Sequence, residues 1–411
     1  MNSSNNKMPL IASLILASIP ALSLFGVSSV FILLAVASLL FLGQKREIIP
    51  LAKTDYFFVL VLCFPLVAAI ITMLVNHNWE WSYVDKYIRY PMGALAFVLM
   101  LKGARIKLDL SLLKLGFYVA ALIGFSYALY QKIILEQELA SAGIFSISFG
   151  EIMTAIAVIS LLRFEQNRVN APLWRILSFS LATLATIMAG TKGAWVAYPF
   201  LLWFVFDLYF GKHLWKQLAI FLGAILMIGV IMWIIPFSKN RIKSAVSDVT
   251  GYYAKDSFTP TSQGLRLMMW DTALEIYQDN PIFGVGPADV SSELISRCET
   301  SSNESISATI DKYKSCLSHV HNDWLESLAG QGILGSLSFA LFIFFPLIFS
   351  FKQRHNSCEK IKVMAYFNII INVGFSIFCL TQCLHMAPRD FWIAFNMFSF
   401  VQLRLPALAT V

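Results

Sequence analysis

Two histidines and two carboxylates stand at the start of a long apolar segment. The stretch reads His319-Val320-His321-Asn322-Asp323, and Glu326 follows one helical turn later. A positive helix dipole disfavours an imidazolium, so His321 at a helix start is a candidate general base that stays neutral near pH 7. Asn322, Asp323 and Glu326 are candidates to orient this ring or a substrate; alternatively, the two acids are solvated residues of a helix start.

The histidines also allow two other interpretations. An HxHxD string is typical of zinc hydrolases, but those sites need a further adjacent histidine and distant ligands on a soluble α/β scaffold. The sequence therefore predicts no metal site. The remaining alternative is that His319 and His321 only anchor a helix at a membrane interface.

Four basic residues are candidates for binding an anionic group. Arg266 carries a guanidinium whose geometry matches phosphate oxygens in a bidentate way. Lys192 stands in the short turn Gly190-Thr191-Lys192-Gly193, and Lys86 and Arg89 share one helix face at i and i+3. Each also has an alternative explanation without a bound anion. Arg266 could snorkel beside its helix, and Lys192 could simply depart from the charge bias of the loops. Lys86 and Arg89 could anchor their helix at the membrane interface.

Composition indicates that a membrane surrounds these residues. Of 411 residues, 58% are hydrophobic and 13% are charged, and the charged share is about half that of soluble proteins. The net charge of +7 fits basic cytoplasmic loops better than nucleic-acid binding. No GxxxxGK[ST] phosphate loop occurs, so an ATPase of that type is excluded.

Apolar windows predict an all-α polytopic membrane protein with about twelve transmembrane helices. We treat the first window as a retained helix and not as a cleaved signal peptide. Eighteen Lys and Arg residues fall in one set of short loops and tails and five in the opposite set, which predicts that both termini are cytoplasmic. The predicted spans lie near 9–25, 27–43, 55–75, 90–103, 112–130, 147–162, 174–190, 194–210, 217–236, 322–350, 362–384 and 391–408.

One large outer loop, predicted to be periplasmic, divides the chain. Spans one to nine occupy residues 1–236, the loop occupies 237–321, and spans ten to twelve occupy 322–411. Within the loop we predict a helix that Thr261 or Ser262 caps and that ends at Asn280-Pro281. Its predicted apolar stripe is Leu267, Trp270, Leu274 and Tyr277. Cys298 and Cys316 could form a disulfide in an oxidising periplasm.

A longer pattern connects the histidine to two glycines. His321-Asn322, nine further residues and then Gly332 and Gly335 fit H-[NSQ]-x9-G-x-x-[GTY]. This pattern resembles the O-antigen ligase family, which belongs to a wider group of bacterial enzymes that use lipid-linked sugars. The span count, the large loop between spans nine and ten, and the Arg266 helix with its Pro-Ile-Phe-Gly-Val-Gly exit are similar to that family as well.

The resemblance implies transfer of a glycan from undecaprenyl diphosphate to a sugar hydroxyl of lipid A core, at the periplasmic face of the bacterial inner membrane. His321 would be the base, and Arg266, Lys192, Arg89 and Lys86 would bind the diphosphate. The family usually has an arginine where this chain has Lys192, so the bidentate geometry is lost there. The resemblance also implies metal independence and inversion at the anomeric carbon. We further expect no cofactor and, from the composition, no nucleic-acid partner.

Three alternatives remain open. An O-antigen polymerase uses the same donor with a lipid-linked glycan as the acceptor, and its motifs overlap with those above. A protein O-oligosaccharyltransferase usually carries a longer C-terminal extension than this chain has. A transporter would place charges inside its spans, whereas here Glu151 is the main intramembrane charge and the outward cations, including Arg389, lie in loops.

Overall fold

The fold of this protein is helical throughout the residues that the computed structural model describes. These are residues 7–25, 51–102, 110–164, 171–211, 261–301, 304–380 and 389–404, with short pieces between 213 and 252. We number thirteen α-helices within this part of the chain. They are α1 (Lys7–Leu22), α2 (Lys53–Val75), α3 (Trp81–Lys102), α4 (Leu110–Ile133), α5 (Ser146–Ser160), α6 (Ala171–Ala189), α7 (Lys192–Phe210), α8 (Ser262–Asp279), α9 (Val290–Glu299), α10 (Glu304–Tyr313), α11 (Asp323–Gln353), α12 (Glu359–Phe378) and α13 (Arg389–Arg404).

Helices coincide with ten of the twelve predicted spans. Six of them are long and apolar enough to cross a membrane: α2, α4, α6, α7, α11 and α12. The predicted span 27–43 lies outside the described residues and 217–236 lies largely outside them. The fourth predicted span begins near residue 90, but α3 begins at Trp81, because Asp85, Lys86 and Arg89 lower the local hydropathy without interrupting the helix.

The main core lies among the apolar helices and is rich in aromatic side chains. Phe58 of α2 stacks on Phe400 of α13 with 4.2 Å between ring centroids. A buried ion pair closes one end of the same two helices. Arg404 donates from Nε to Asp55 Oδ1 at 2.6 Å and from Nη2 to Oδ2 at 3.0 Å. This bidentate geometry satisfies both charges where water is excluded.

The helices α8, α9 and α10 form a second, smaller core with the start of α11. Thr261 caps α8 as predicted, because its hydroxyl accepts from the Gly264 N–H at 3.1 Å. The predicted apolar stripe on α8 is not the face that packs inside the protein, since Leu274 is exposed and Trp270 is only partly buried. The buried face of α8 consists of Leu265, Met268, Met269, Ala273 and Ile276. This face packs against α9 and α11, and it is offset around the helix from the predicted stripe.

The helix α11 is interrupted at Gly332, where φ is 61° and ψ is −152°. The segment 281–286, which follows α8, pairs with both sides of this break. Val285 and Gly286 donate their N–H groups to the carbonyls of Ala329 and Gly330 at 3.0 and 2.9 Å. On the far side, the N–H of Ile333 donates to the Pro281 carbonyl at 2.9 Å. Backbone groups freed by the break are thus satisfied inside the protein, as irregular backbone in a membrane protein requires.

Glycine is needed where the segment meets the break. A Cβ added at Gly332 would lie 2.5 Å from the carbonyl carbon and oxygen of Ile282. In the segment 281–286, Gly284 has φ of +61°, and a Cβ added to it would lie 2.5 Å from the Ala329 oxygen. The Pro-Ile-Phe-Gly-Val-Gly exit and the second half of the histidine–glycine pattern are therefore two sides of one contact. Because α8 carries Arg266 and α11 follows His321, this contact fixes the two residues relative to each other.

We predict that Gly332→Ala lowers both stability and activity. The backbone conformation is one that only glycine adopts easily, at a cost of about 1–3 kcal/mol for other residues, and the new methyl group would overlap the Ile282 backbone. We expect a fall in the thermal unfolding midpoint of the purified protein in detergent. Gly211→Ala is the matched control, because Gly211 has φ of +57° but no described atom within 4 Å of its Cβ position. If the unfolding midpoint fell equally in the two variants, the contact between the segment 281–286 and the break in α11 would not be important for stability.

Candidate active site

The loop 318–322 is held by contacts from two helices. The Val320 N–H donates to Glu326 Oε2 of α11 at 2.7 Å, and the Val320 carbonyl accepts from Trp270 Nε1 of α8 at 3.1 Å. Val320 itself is fully buried. Asn322 then caps α11, since its Oδ1 accepts from the N–H groups of Trp324 and Leu325 at 3.0 and 3.2 Å. The buried valine thus anchors the loop between its two histidines.

His321 occupies a strained backbone position and has an unused ring nitrogen. Its φ is 56°, a left-handed conformation that is uncommon for residues other than glycine. Its Nδ1 is buried and makes no hydrogen bond within the described residues. Burial, the neighbouring His319 and the charge of Arg266, in that order, lower the pKa of His321 to about 3. The ring is therefore neutral at pH 7, as expected for a general base, and burial is the largest cause of the shift.

The acids beside His321 are not solvated. Asp323 and Glu326 are each only 5% exposed, so the alternative reading of them as solvated helix-start acids is wrong. Glu326 uses a carboxylate oxygen to fix the Val320 N–H, and the Asp323 N–H donates to the Cys379 carbonyl of α12 at 2.9 Å. Both residues therefore support the loop and the helix start.

Arg266 lies close enough to both histidines to act on them electrostatically. Its positive charge lowers the pKa of His319 and that of His321. The same charge acts on the carboxylate of Glu151, a fully buried residue of α5. The structure therefore brings the proposed phosphate-binding arginine and the proposed base into one electrostatic environment.

Lys86 belongs to the same environment from the side of α3. Its charge lowers the pKa of His319, and its Nζ lies 3.7 Å from the ring centroid of Tyr83. Arg89 follows on the same helix face and is partly buried. The charge of Lys86 thus acts on the histidine loop, and the role of both residues in binding the diphosphate stays a prediction.

Lys192 begins α7 next to the start of α5. Thr191 donates from its hydroxyl to the Ser146 carbonyl at 3.1 Å. A Cβ at Gly150 would lie 2.5 Å from the Thr191 hydroxyl oxygen, so the turn that carries Lys192 packs tightly on α5. Glu151, which follows Gly150, is the part of α5 that interacts with Arg266 and Asp323. Lys192 itself is partly buried at the start of α7, and its role in binding the diphosphate stays a prediction.

Glu151 is the site residue that sequence reasoning left without a role. It interacts electrostatically with Asp323 and Arg266, and it is completely buried in α5. A carboxylate in an otherwise apolar helix was the available signal, because such residues are costly in a membrane and are usually functional.

Gly332 and Gly335 have structural roles below the histidine loop. Gly335 leaves space for the side chain of Gln331, which occupies the position that a Cβ at residue 335 would need. Gln331 and Asp323 line a cavity of about 30 Å³ between α2, α3, α11 and α12, which is large enough for a water molecule. The Gln331 Nε2 has no hydrogen-bond partner among the described residues.

The predicted disulfide is not present at Cys298. This residue is a free thiol in the second core, 2% exposed, with its Sγ 3.7 Å from the Thr272 hydroxyl. Burial raises the pKa of the Cys298 thiol. The Cys316 side chain lies outside the described residues, so pairing under oxidising conditions stays a prediction.

The site combines a neutral imidazole with nearby cations and a rigid supporting loop. A neutral imidazole can take a proton from a hydroxyl, and guanidinium and ammonium groups stabilise an anion that departs. Partial burial strengthens both effects because the local dielectric is low. This chemistry suits transfer of a group from a phosphate leaving group to a hydroxyl.

Comparison with known proteins agrees with this chemistry. Residues 177–340, which include Lys192, Arg266, His321, Gly332 and Gly335, match the family model described as O-antigen ligase. An uncharacterised protein of Haemophilus influenzae is 28% identical over 258 residues, which cover 61% of this chain and 62% of the relative. The O-antigen ligase of Escherichia coli is 25% identical over 258 residues, which cover 62% of this chain and 58% of the relative.

The alignments therefore span about three-fifths of the curated relatives that the chain matches. The family match covers α7, α8, the segment 281–286 and the first half of α11, which carry Lys192, Arg266 and His321 or directly follow them, whereas α3 and α5 lie outside it. Residues 177–340 are thus similar to the O-antigen ligase family.

Proposed function

We propose that this protein is an O-antigen ligase. It transfers a glycan from undecaprenyl diphosphate to a sugar hydroxyl of lipid A core, at the periplasmic face of the bacterial inner membrane, with both termini in the cytoplasm. The observation that carries the proposal is the joint environment of His321 and Arg266, in which a neutral base lies beside a cation suited to phosphate. The family match supports the same reaction class.

The proposed reaction is a substitution at the anomeric carbon of the donor sugar. The acceptor hydroxyl oxygen forms the new bond to this carbon while the bond to the diphosphate oxygen breaks. The departing diphosphate keeps the electron pair, and the hydroxyl proton passes to the His321 imidazole. Arg266 and Lys86, with Arg89 and Lys192 as further candidates, stabilise the negative charge that develops on the leaving group.

Transfer with purified components tests this proposal. The protein is incubated with undecaprenyl-diphosphate-linked glycan and either lipid A core or a second molecule of lipid-linked glycan. We expect product only with lipid A core; product only with the second glycan would identify a polymerase. Failure with both acceptors would contradict glycan transfer and favour transport.

The same reaction tests two finer points. We propose metal-independent transfer with inversion, so activity should persist in a chelator. The anomeric configuration of the product, determined by NMR, should be opposite to that of the donor. If the chelator abolished activity and added metal restored it, transfer would not be metal-independent. If the product kept the anomeric configuration of the donor, transfer would not proceed with inversion.

A further inference from the structure

His319 is a second imidazole in the site, and neither the histidine–glycine pattern nor the predicted roles assign it a function. Its ring centroid lies 4.0 Å from that of His321, at an interplanar angle of 48°. Its Nδ1 lies 2.8 Å from the hydroxyl oxygen of Ser318, an exposed residue. One face of His319 therefore contacts the proposed base while one ring nitrogen is already committed to a hydroxyl.

Two cations from different helices act on the same ring. Burial is the largest cause that lowers the pKa of His319, and the charges of Arg266 on α8 and Lys86 on α3 follow. His319 is therefore neutral at pH 7. Its ring contacts the base proposed to receive the acceptor proton, and it is within electrostatic reach of the cations proposed to hold the donor.

The Ser318 hydroxyl can determine which nitrogen of the neutral His319 ring carries the proton. A hydroxyl can donate or accept, and a neutral imidazole carries one proton on either nitrogen. When Ser318 donates to Nδ1, the proton of His319 is on Nε2, which then donates to an anion. A neutral donor adds a hydrogen bond to an anion without adding a positive charge beside His321.

We propose that His319 is a binding residue for the diphosphate of the lipid-linked donor, and that Ser318 selects the tautomer that donates from Nε2. The proposal rests on the proposed function, because it assigns a ligand within the same site. The competing explanation is that His319 only packs against the His321 ring.

Two substitutions separate binding from packing. His319→Gln keeps an N–H donor but removes the ring, and His319→Phe keeps a ring against His321 but removes the nitrogens. For binding, we expect His319→Phe to raise the KM for the lipid-linked glycan about tenfold or more, since a hydrogen bond to a charged group is lost. We expect His319→Gln to stay within about threefold of the wild type. The opposite order would overturn the proposal.

Ser318→Ala provides a variant in which folding is not at risk, because Ser318 is exposed. It removes the hydroxyl that selects the tautomer, so we expect a KM increase of about threefold with kcat nearly unchanged. The control is His355→Phe, at an exposed turn after α11, which should leave KM unchanged. An unchanged KM in Ser318→Ala would contradict the tautomer role.

A direct binding measurement tests the same contact without relying on KM, which also depends on catalysis. In a His321→Ala background, undecaprenyl diphosphate and undecaprenyl monophosphate compete with a fluorescent lipid-linked glycan. We expect His319→Phe to weaken competition by the diphosphate more than competition by the monophosphate, and an equal loss would contradict a diphosphate contact. If wild-type protein transfers no glycan, the proposed function fails; if it does and His319→Phe binds normally, only the role of His319 fails.

Discussion

His321→Ala is expected to reduce glycan transfer by about 10²–10⁴-fold, the contribution typical of a positioned general base. The physical reason is that the variant has no group to accept the proton of the acceptor hydroxyl. Purified variant protein is assayed with lipid-linked glycan and lipid A core. In cells that contain only the variant, lipopolysaccharide run on a gel should show core without the ladder of attached glycan.

A loss of activity must be distinguished from a loss of fold. Val320, Glu326 and Trp270 hold the loop through contacts that do not involve the His321 ring, so the loop should persist in the variant. Because His321 has φ of 56°, alanine adds backbone strain there, and His321→Asn is the better tolerated second variant. Both should be inactive with near-normal unfolding midpoints, while His355→Ala should be fully active. A full glycan ladder from His321→Asn would refute the base assignment.

The pH dependence of kcat/KM gives an independent signature of the same residue. Because the pKa of His321 is lowered to about 3, its base form should persist as pH falls from 8 to about 5. An unperturbed histidine, with a pKa of about 6.5, would already be almost fully protonated at pH 5. His319 and Arg266 both lower this pKa. Removing the cation in Arg266→Ala should therefore raise the pKa, so that the residual activity is lost at a higher pH than in the wild type.

Sequence patterns predict the elements well where local chemistry decides them. The apolar windows predict helices such as α2, α4 and α12, because length and hydropathy suffice for such segments. Thr261 and Asn322 behave as helix caps for a local reason, since each side chain accepts from N–H groups two or three residues later. The family pattern connects His321 with Gly332, but it gives no reason for the glycine.

Long-range contacts decide what the sequence does not predict. The reason for Gly332 is the backbone of Ile282, which is distant in sequence and meets the break only through the tertiary fold. The apolar stripe read from the sequence of α8 does not predict its buried face, and it includes Trp270, which in the fold uses its N–H to hold Val320. Glu151 reaches the site only through the packing of α5.

Arg266→Lys is expected to lower kcat/KM for the lipid-linked donor by about tenfold to a hundredfold, although the charge is retained. A guanidinium makes two parallel hydrogen bonds to phosphate oxygens, and an ammonium cannot reproduce this geometry. One hydrogen bond to a charged group contributes about 1.5–3 kcal/mol, and each 1.4 kcal/mol corresponds to about tenfold. Steady-state kinetics with varied donor concentration should show the effect mainly in KM.

Arg297→Lys is the matched control for this prediction. Arg297 of α9 also makes paired contacts with carboxylates, at 2.8 Å to Glu293 on the same helix and 2.7 Å to Asp279 at the end of α8, so it supports the packing of α9 on α8. Its substitution should lower the unfolding midpoint slightly and leave the donor KM unchanged. If Arg266→Lys and Arg297→Lys change the KM equally, Arg266 supports the outer helices and does not bind the donor. If only Arg266→Lys raises it, the residue that acts electrostatically on both histidines also contacts the diphosphate, and base and leaving group are held by one pair of helices, α8 and α11.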